Sequence, residues 1–368
     1  MPPTLKNPVS GLEPVSAERL YAGPHSAGAH ADDRWTVGGW GGSLLRVGLY
    51  AGHMYTDGQI GSGTSKYVHY LIRDLEARGV DVVRLRKGEN PRDVDVLHDP
   101  HAPWNAPLRP RRPLLITIQD LSPWTYPQYY SRWVRTLFLN KLRYMARRAN
   151  RILVPSRRTA TVVSDAFRPK VPIDVIYYGV EDHFRPGASA NPSGPPFLVQ
   201  VGVHRRIKEP MVTLRAFEAI AARIPHDLIF VGTDNVLMGP VKAYAQARPA
   251  LAGRVRFEWS GEPAIPSIYN RTDLVVHPCP EEGFGFVPLE ALACGAHVLA
   301  RAPAVREILG PHGCYFDRPG QLPDAILRCL RDGPNGTLAD RVAHARRFSF
   351  QDMGAATLAS YEAAARLA

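Results

Sequence analysis

From Leu44 onward, short apolar runs alternate with helical patterns, and this alternation constrains the fold more than any other feature. LLRVGLYA (44–51), VDVVRL (80–85), VDVLH (94–98), LLITIQ (114–119), RILVP (151–155) and IDVIYY (173–178) are each long enough for one strand. Helical patterns such as Lys66 to Arg78 and Arg132 to Arg148 separate them. Continuous Val/Ile/Leu runs joined by helices specify a parallel sheet covered on both faces. After RPGASANPSGPP (185–196), a turn-rich stretch that reads as a linker, the alternation restarts. FLVQVG (197–202), DLIFVG (227–232), RVRFE (254–258), DLVVHP (273–278) and HVLA (297–300) form the second set. Two α/β units therefore face one another, with a ligand cleft expected at the carboxyl ends of their strands.

An apolar fraction of 45% and a charged fraction of 21% exclude a disordered or fibrous chain. The net charge of +11 is concentrated: between Asn105 and Lys170 fourteen Lys/Arg stand against only Asp120 and Asp165. At the centre of that segment, SRWVRTLFLNKLRYMARRA (131–149) mixes Trp133, Leu137 and Phe138 with arginines. Two readings fit: a core-packed helix with a solvated basic face, or a basic amphipathic surface resting on anionic lipid. Nucleic acid is not expected as a partner, because no recognition motif accompanies the charge. The four cysteines, Cys279, Cys294, Cys314 and Cys329, have no C-x-x-C spacing, so the sequence indicates neither a zinc site nor a disulfide framework. Residues 1–43 lack a signal-like apolar stretch and read as a flexible leader. A cytoplasmic protein, peripheral at most on the inner membrane face, is expected.

The segment richest in chemistry is PCPEEGFGFVPLEALACG, Pro278 to Gly295. It follows an apolar run directly, Pro280, Gly283 and Gly285 keep its first part out of a helix, and Pro288 suits a first helical turn. Strand, glycine loop and helix N-terminus together aim amides at one spot, a geometry that binds phosphates. Glu282 in the loop and Glu290 in the helix are separated by seven residues. Such a spacer sets the carboxylates far enough apart to accept hydrogen bonds from opposite ends of a long ligand.

This segment, EGFGFVPLE in its centre, resembles the E-x(7)-E signature of the retaining family 4 glycosyltransferases of the GT-B fold. The resemblance extends through GSGTSKYVHYL (61–71), QDLSPWTYP (119–127), VPSRRTATVV (154–163), IYYGVEDHFRP (176–186), QVGVHRRIK (200–208) and FSFQDMGAATLASYEAA (348–364). It implies an α/β architecture of two Rossmann-like domains facing across a cleft: an acceptor-side domain over 44–186, a linker over 187–196 and a nucleotide-sugar domain over 197–346. Residues 347–368 would form a helix crossing back onto the first domain.

The resemblance also implies roles. Glu282 would grip the donor sugar, with the amides of Phe284, Gly285 and Phe286 facing the sugar or its phosphate. Glu290 would bind the ribose, Lys208 would neutralise the diphosphate, and Gly61 and Gly63 would let backbone approach the diphosphate or acceptor. The family arginine beside that lysine is displaced, leaving Arg205 or Arg206 as substitutes. Gln119 stands where the family has histidine; it can hydrogen-bond but carries no proton. His98 either fills part of that role or packs. Asp93-Val94-Asp95 is better read as a turn than as a metal site, and neither a metal nor another cofactor is expected. The expected partners are a nucleotide-sugar and a hydroxyl acceptor, with an anionic membrane surface reached through residues 105–170. The expected activity is transfer of a hexose, first mannose from GDP-mannose, to an acceptor such as a lipid-linked glycan precursor. A UDP-sugar-dependent glucosyl or N-acetylglucosaminyl transferase, or a non-catalytic sugar-nucleotide binder, are the alternatives.

Overall fold

The computed structural model describes residues 45–51, 62–187, 195–232, 238–258 and 264–366. The expected leader, Gly61 and most of the expected linker lie outside the described residues. Among the described residues, each of the eleven apolar runs contains a strand. The first sheet holds β1 (Arg46–Leu49), β2 (Asp81–Arg84), β3 (Val96–Asp99), β4 (Leu114–Thr117), β5 (Arg151–Val154) and β6 (Ile173–Val175) in the order β2-β1-β3-β4-β5-β6. The second holds β7 (Phe197–Val201), β8 (Asp227–Val231), β9 (Val255–Glu258), β10 (Leu274–His277), β11 (Val298–Ala300) and β12 (Cys314–Tyr315) in the order β12-β11-β10-β7-β8-β9. Every pairing is parallel, as in Leu49 beside His98 and Val275 beside Val199.

Strand order reverses between β1 and β3 in one sheet and between β7 and β10 in the other. At such reversals successive connections leave on opposite faces and open a crevice at the carboxyl ends. The residues that follow β10 and β7 are the glycine loop and the Lys208 turn, so topology alone delivers both to one place.

Four of the described helices start at a serine cap. Ser62 Oγ accepts from the Ser65 amide, which starts the Gly63–Ala77 helix three residues before Lys66, where the sequence pattern begins. That helix buries Tyr67, Val68, Leu71, Ile72 and Leu75, one stripe at helical spacing. Ser131 and Ser156 cap the Arg132–Arg148 and Arg157–Phe167 helices in the same way.

The C-terminal Phe350–Ala365 helix crosses back to the first lobe. Phe350 stacks on Tyr70 with ring centroids 3.9 Å apart, the Tyr361 hydroxyl lies 2.7 Å from His98 Nδ1, and Ser360 donates to Asp174 at 2.9 Å. Gly354 permits the close crossing, since a Cβ there would stand 1.7 Å from the Asp74 carboxylate. Among the described residues no helix is long and apolar enough to cross a membrane.

Candidate active site

The loop between β10 and the Phe286–Ala293 helix is built by two glycines. Gly285 has φ of 101°, and a Cβ there would come within 2.7 Å of the Val305 side chain. At Gly283 a Cβ would fall 1.7 Å from the Gln119 carbonyl oxygen of the opposite lobe, so only glycine lets the lobes approach this closely. The helix that follows has no side-chain N-cap and no acid in its first turn, which leaves its leading amides for an anion.

Beside the loop, Lys208 at the end of a 3-10 turn (Arg206–Lys208) donates from Nζ to Glu282 Oε1. The His277 Nε2 lies 2.9 Å from the same oxygen. Burial opposes the charge on Glu282, but Lys208 and the His277 hydrogen bond outweigh it and hold the carboxyl well below its usual range. Burial opposes the Lys208 charge as well, and Glu282 outweighs it, so the ammonium stays protonated far above its usual range. An ionised carboxylate only accepts, so His277 presents a protonated Nε2, and burial lowers its pKa and keeps the ring neutral.

Glu290, buried in the helix, meets a cation from the other lobe: Lys66 Nζ is 2.6 Å from Glu290 Oε1 and 2.8 Å from Glu181 Oε1. Phe184 and Phe286 flank the ammonium, with ring centroids 5.1 and 5.6 Å away. Gly63, at the start of the helix that carries Lys66, would bring a Cβ within 3.0 Å of the Phe286 ring. Phe284 is buried and Phe286 stacks on Tyr178 at 5.5 Å.

The other expected residues fall as follows. Arg205 and Arg206 are both exposed on the turn that carries Lys208. Gln119 donates from Nε2 to the Pro100 carbonyl at 2.9 Å and accepts from the Tyr178 hydroxyl at 2.8 Å. His98 packs: it is fully buried, its ring nitrogens lie 2.7 Å from the Tyr361 hydroxyl and 2.8 Å from Thr117 Oγ1, and burial lowers its pKa to about 3. Asp95 accepts from the Arg46 amide at 2.7 Å and Asp93 pairs with the Arg46 guanidinium at 3.1 Å, a turn locked at the start of β1.

The interlobe contacts were not read from the sequence. Arg158 grips Glu281 through two hydrogen bonds of 3.2 and 2.9 Å. The Glu307 carboxylate caps the Arg157–Phe167 helix across the cleft, accepting from the Arg157 and Arg158 amides at 2.8 and 3.0 Å and from the Tyr177 hydroxyl at 2.8 Å. Glu209, held at a left-handed φ of 47°, accepts from Tyr129 of the first lobe and from Arg301 at 2.7 Å. These partners lie 80 to 150 residues apart, and no local pattern announces them.

Comparison with known proteins finds matches in both lobes. Residues 195–332 match the family model described as "Glycosyl transferases group 1", and residues 82–184 match "Glycosyltransferase Family 4". Each lobe thus carries a stretch that matches a glycosyltransferase family model. A "D-inositol 3-phosphate glycosyltransferase" from Mycobacterium tuberculosis is 33% identical over 214 residues, covering 52% of this chain and 44% of that protein. The chain thus spans less than half the length of the curated relatives it matches. Among solved structures, Anabaena HepE in complex with UDP superposes with a TM-score of 0.65 at 19% identity, covering 87% of this chain and all of that one. Sucrose-phosphate synthase from Thermosynechococcus elongatus gives 0.64 at 20% identity, covering 88% of this chain and 97% of that one. These likenesses establish the GT-B fold. In this fold the cleft between the lobes is lined by Glu282, Lys208 and Glu290.

Proposed function

We propose that the chain is a retaining, metal-independent glycosyltransferase that moves a hexose from a nucleoside-diphosphate sugar to a hydroxyl acceptor. The observation that carries this is the Lys208–Glu282 pair beside the open N-terminus of the Phe286–Ala293 helix. Glu282, ionised and oriented by His277, accepts hydrogen bonds from the donor sugar's hydroxyls. Lys208 and the helix amides offset the charge that grows on the departing diphosphate, the work a divalent cation would otherwise do. Glu290 accepts from the ribose hydroxyls. The acceptor oxygen attacks from the face the diphosphate leaves, and the leaving phosphate takes its proton, so the missing histidine at Gln119 is no obstacle.

GDP-mannose is the first donor to test; UDP-glucose, which HepE holds in a solved complex, is the second. Thermal shift against a panel of nucleoside diphosphates identifies the base, because a ligand that binds only the folded state raises its melting temperature. Product analysis with the matching sugar nucleotide then gives the sugar and the anomeric outcome. No stabilisation by any nucleoside diphosphate would reject the assignment, and an inverted product would reject retention. Turnover that disappears in excess EDTA at 20 °C and returns with magnesium or manganese would reject metal independence.

The first lobe carries the acceptor side, and its basic Arg132–Arg148 helix docks on anionic lipid to present a lipid-linked acceptor to the cleft. What supports this is a surface stripe of Trp133, Val134 and Leu137, 88%, 55% and 61% exposed, set among arginines. Behind it lies a cavity of about 410 Å³ lined by Trp124, Arg135, Leu139, Arg143 and Phe167 among others.

A further inference from the structure

On the side of the second lobe away from the cleft, the fold gathers three soft donor groups that are scattered in sequence. His297 directly precedes β11, Cys314 opens β12, and Cys329 lies on the Leu322–Asp332 helix. Because β11 and β12 are parallel, His297 and Cys314 sit at the amino ends of their strands, opposite the carboxyl ends that form the cleft. The His297 ring nitrogen, the Cys314 sulfur and the Cys329 sulfur all lie within 4.8 Å of one another, with His297 Nε2 3.1 Å from Cys314 Sγ. His297 and Cys329 are each 5% exposed, whereas Cys314 is open enough to leave an approach from solvent.

We propose that His297, Cys314 and Cys329 form a zinc site, with water in the fourth position. Two thiolates and an imidazole are a donor set that selects zinc over magnesium or calcium, and the observed separations need only small side-chain shifts to surround a tetrahedral ion. A supporting shell is already in place. The Asn335 amide donates to the Gly313 carbonyl at 3.0 Å and lies 3.6 Å from Cys314 Sγ, the kind of N–H to sulfur contact that orients a thiolate ligand.

The ion would tie together two outer strands and a helix of the nucleotide-side lobe. β12 has only two residues and pairs on one side alone, so it is the element that gains most. The lack of C-x-x-C spacing argues against zinc only if ligands come from one local loop; here the fold supplies them from three elements. The second cluster of possible ligands, His277, Cys279 and Glu282, is a weaker candidate. Lys208 already places a cation on Glu282, Cys279 donates to the Glu281 carbonyl at 3.0 Å, and burial raises the Cys279 thiol pKa well above its usual value.

Cobalt(II) titration of the reduced full-length chain tests the site. One equivalent should bind with the intense sulfur-to-metal absorption of a tetrahedral thiolate complex, and zinc should displace it. That absorption should fall at least tenfold in C314S and in C329S, weaken in H297A, and persist in C279S. Because C329S replaces a buried side chain, thiol labelling of the unmutated protein gives an independent reading: zinc should slow alkylation of Cys314 at least tenfold and leave Cys294 unchanged. Zinc should also raise the melting temperature by several degrees. Absence of the cobalt–thiolate band overturns the proposal, as does a band that survives C314S or is lost in C279S. A Cys314–Cys329 disulfide that re-forms in the presence of excess zinc also overturns it.

Discussion

Lys66 and Glu290 are 224 positions apart and on opposite lobes, yet they form a buried ion pair of 2.6 Å, each side chain only 7% exposed. Glu181 completes the cluster, so one ammonium compensates two carboxylates, one of which is the residue proposed to hold the ribose. Replacing Lys66 by methionine leaves both acids buried without that cation. Breaking a buried pair in this way costs about 3–5 kcal/mol. Lys66→Met should therefore lower the midpoint of urea unfolding sharply, and adding Glu181→Gln to it should recover part of the loss. A Lys66→Met protein as stable as the parent would show that the cluster does not hold the lobes together.

The two glutamates of the glycine loop and its helix should separate kinetically. Glu290→Ala removes a charged acceptor from the nucleotide and should weaken nucleoside diphosphate binding by about 1–3 kcal/mol, read by calorimetry. Its loss also removes one of the two carboxylates around Lys66, so Glu290→Gln, which keeps the shape, is the companion variant. Glu282→Ala should leave nucleotide affinity within a few fold and reduce kcat, because its contacts are with the reacting sugar. Equal losses of affinity and turnover in both variants would contradict the division of roles.

Acid should loosen the crossover helix through His98. Its folded pKa lies near 3 because burial disfavours the charged ring, whereas an unfolded histidine titrates near 6.5. Between those values the unfolded chain binds the extra proton, so this histidine's contribution is complete above about pH 6.5 and declines as pH falls toward 3, by about 1.4 kcal/mol per pH unit. His98→Gln keeps a hydrogen-bonding side chain but no proton site. It should flatten the acid limb of the stability profile by up to one proton, measured by urea unfolding between pH 4 and 7. An unchanged slope would mean that other buried histidines, His204 and His277 among them, account for it.

How much of this was legible in the sequence depends on range. Short, mostly apolar runs exposed eleven strands: central ones such as Leu114–Thr117 and Leu274–His277 are buried throughout, whereas Asp81–Arg84 and Val255–Glu258 are partly exposed and carry charges. The twelfth, Cys314–Tyr315, is two residues long and exists only because β11 offers it a partner. The Glu282 site was readable because strand, glycines and helix start are contiguous, and Lys208 was readable only through the family resemblance. The Lys66–Glu290 pair, the Arg158–Glu281 clasp and the His297–Cys314–Cys329 cluster had no local signature. His98 sits at a strand end, which left a functional role open; the crossover helix decides against it by sealing the ring under Tyr361.

The helix Arg132–Arg148 shows the same limit and sets the last prediction. Trp133 and Phe138 both read as candidates for an outward apolar face, but five positions turn about 140° around a helix. Phe138 accordingly faces inward, its ring 6.0 Å from Trp104, and Leu137, one turn from Trp133, takes its place outside. Arg132, Arg147 and Arg148 are exposed on the same helix. Each basic residue near an anionic bilayer contributes about 1 kcal/mol, so three contacts suffice for measurable recruitment. Sedimentation with vesicles containing anionic lipid should pull the protein down at low salt and release it at high salt, with little binding to neutral vesicles. Trp133→Ser with Leu137→Ser removes only exposed apolar surface; it should weaken vesicle binding at least tenfold and leave nucleoside diphosphate affinity unchanged. Binding that ignores lipid charge and salt, or that survives the double substitution, would assign this face to solubility instead, and the cleft chemistry would stand without it.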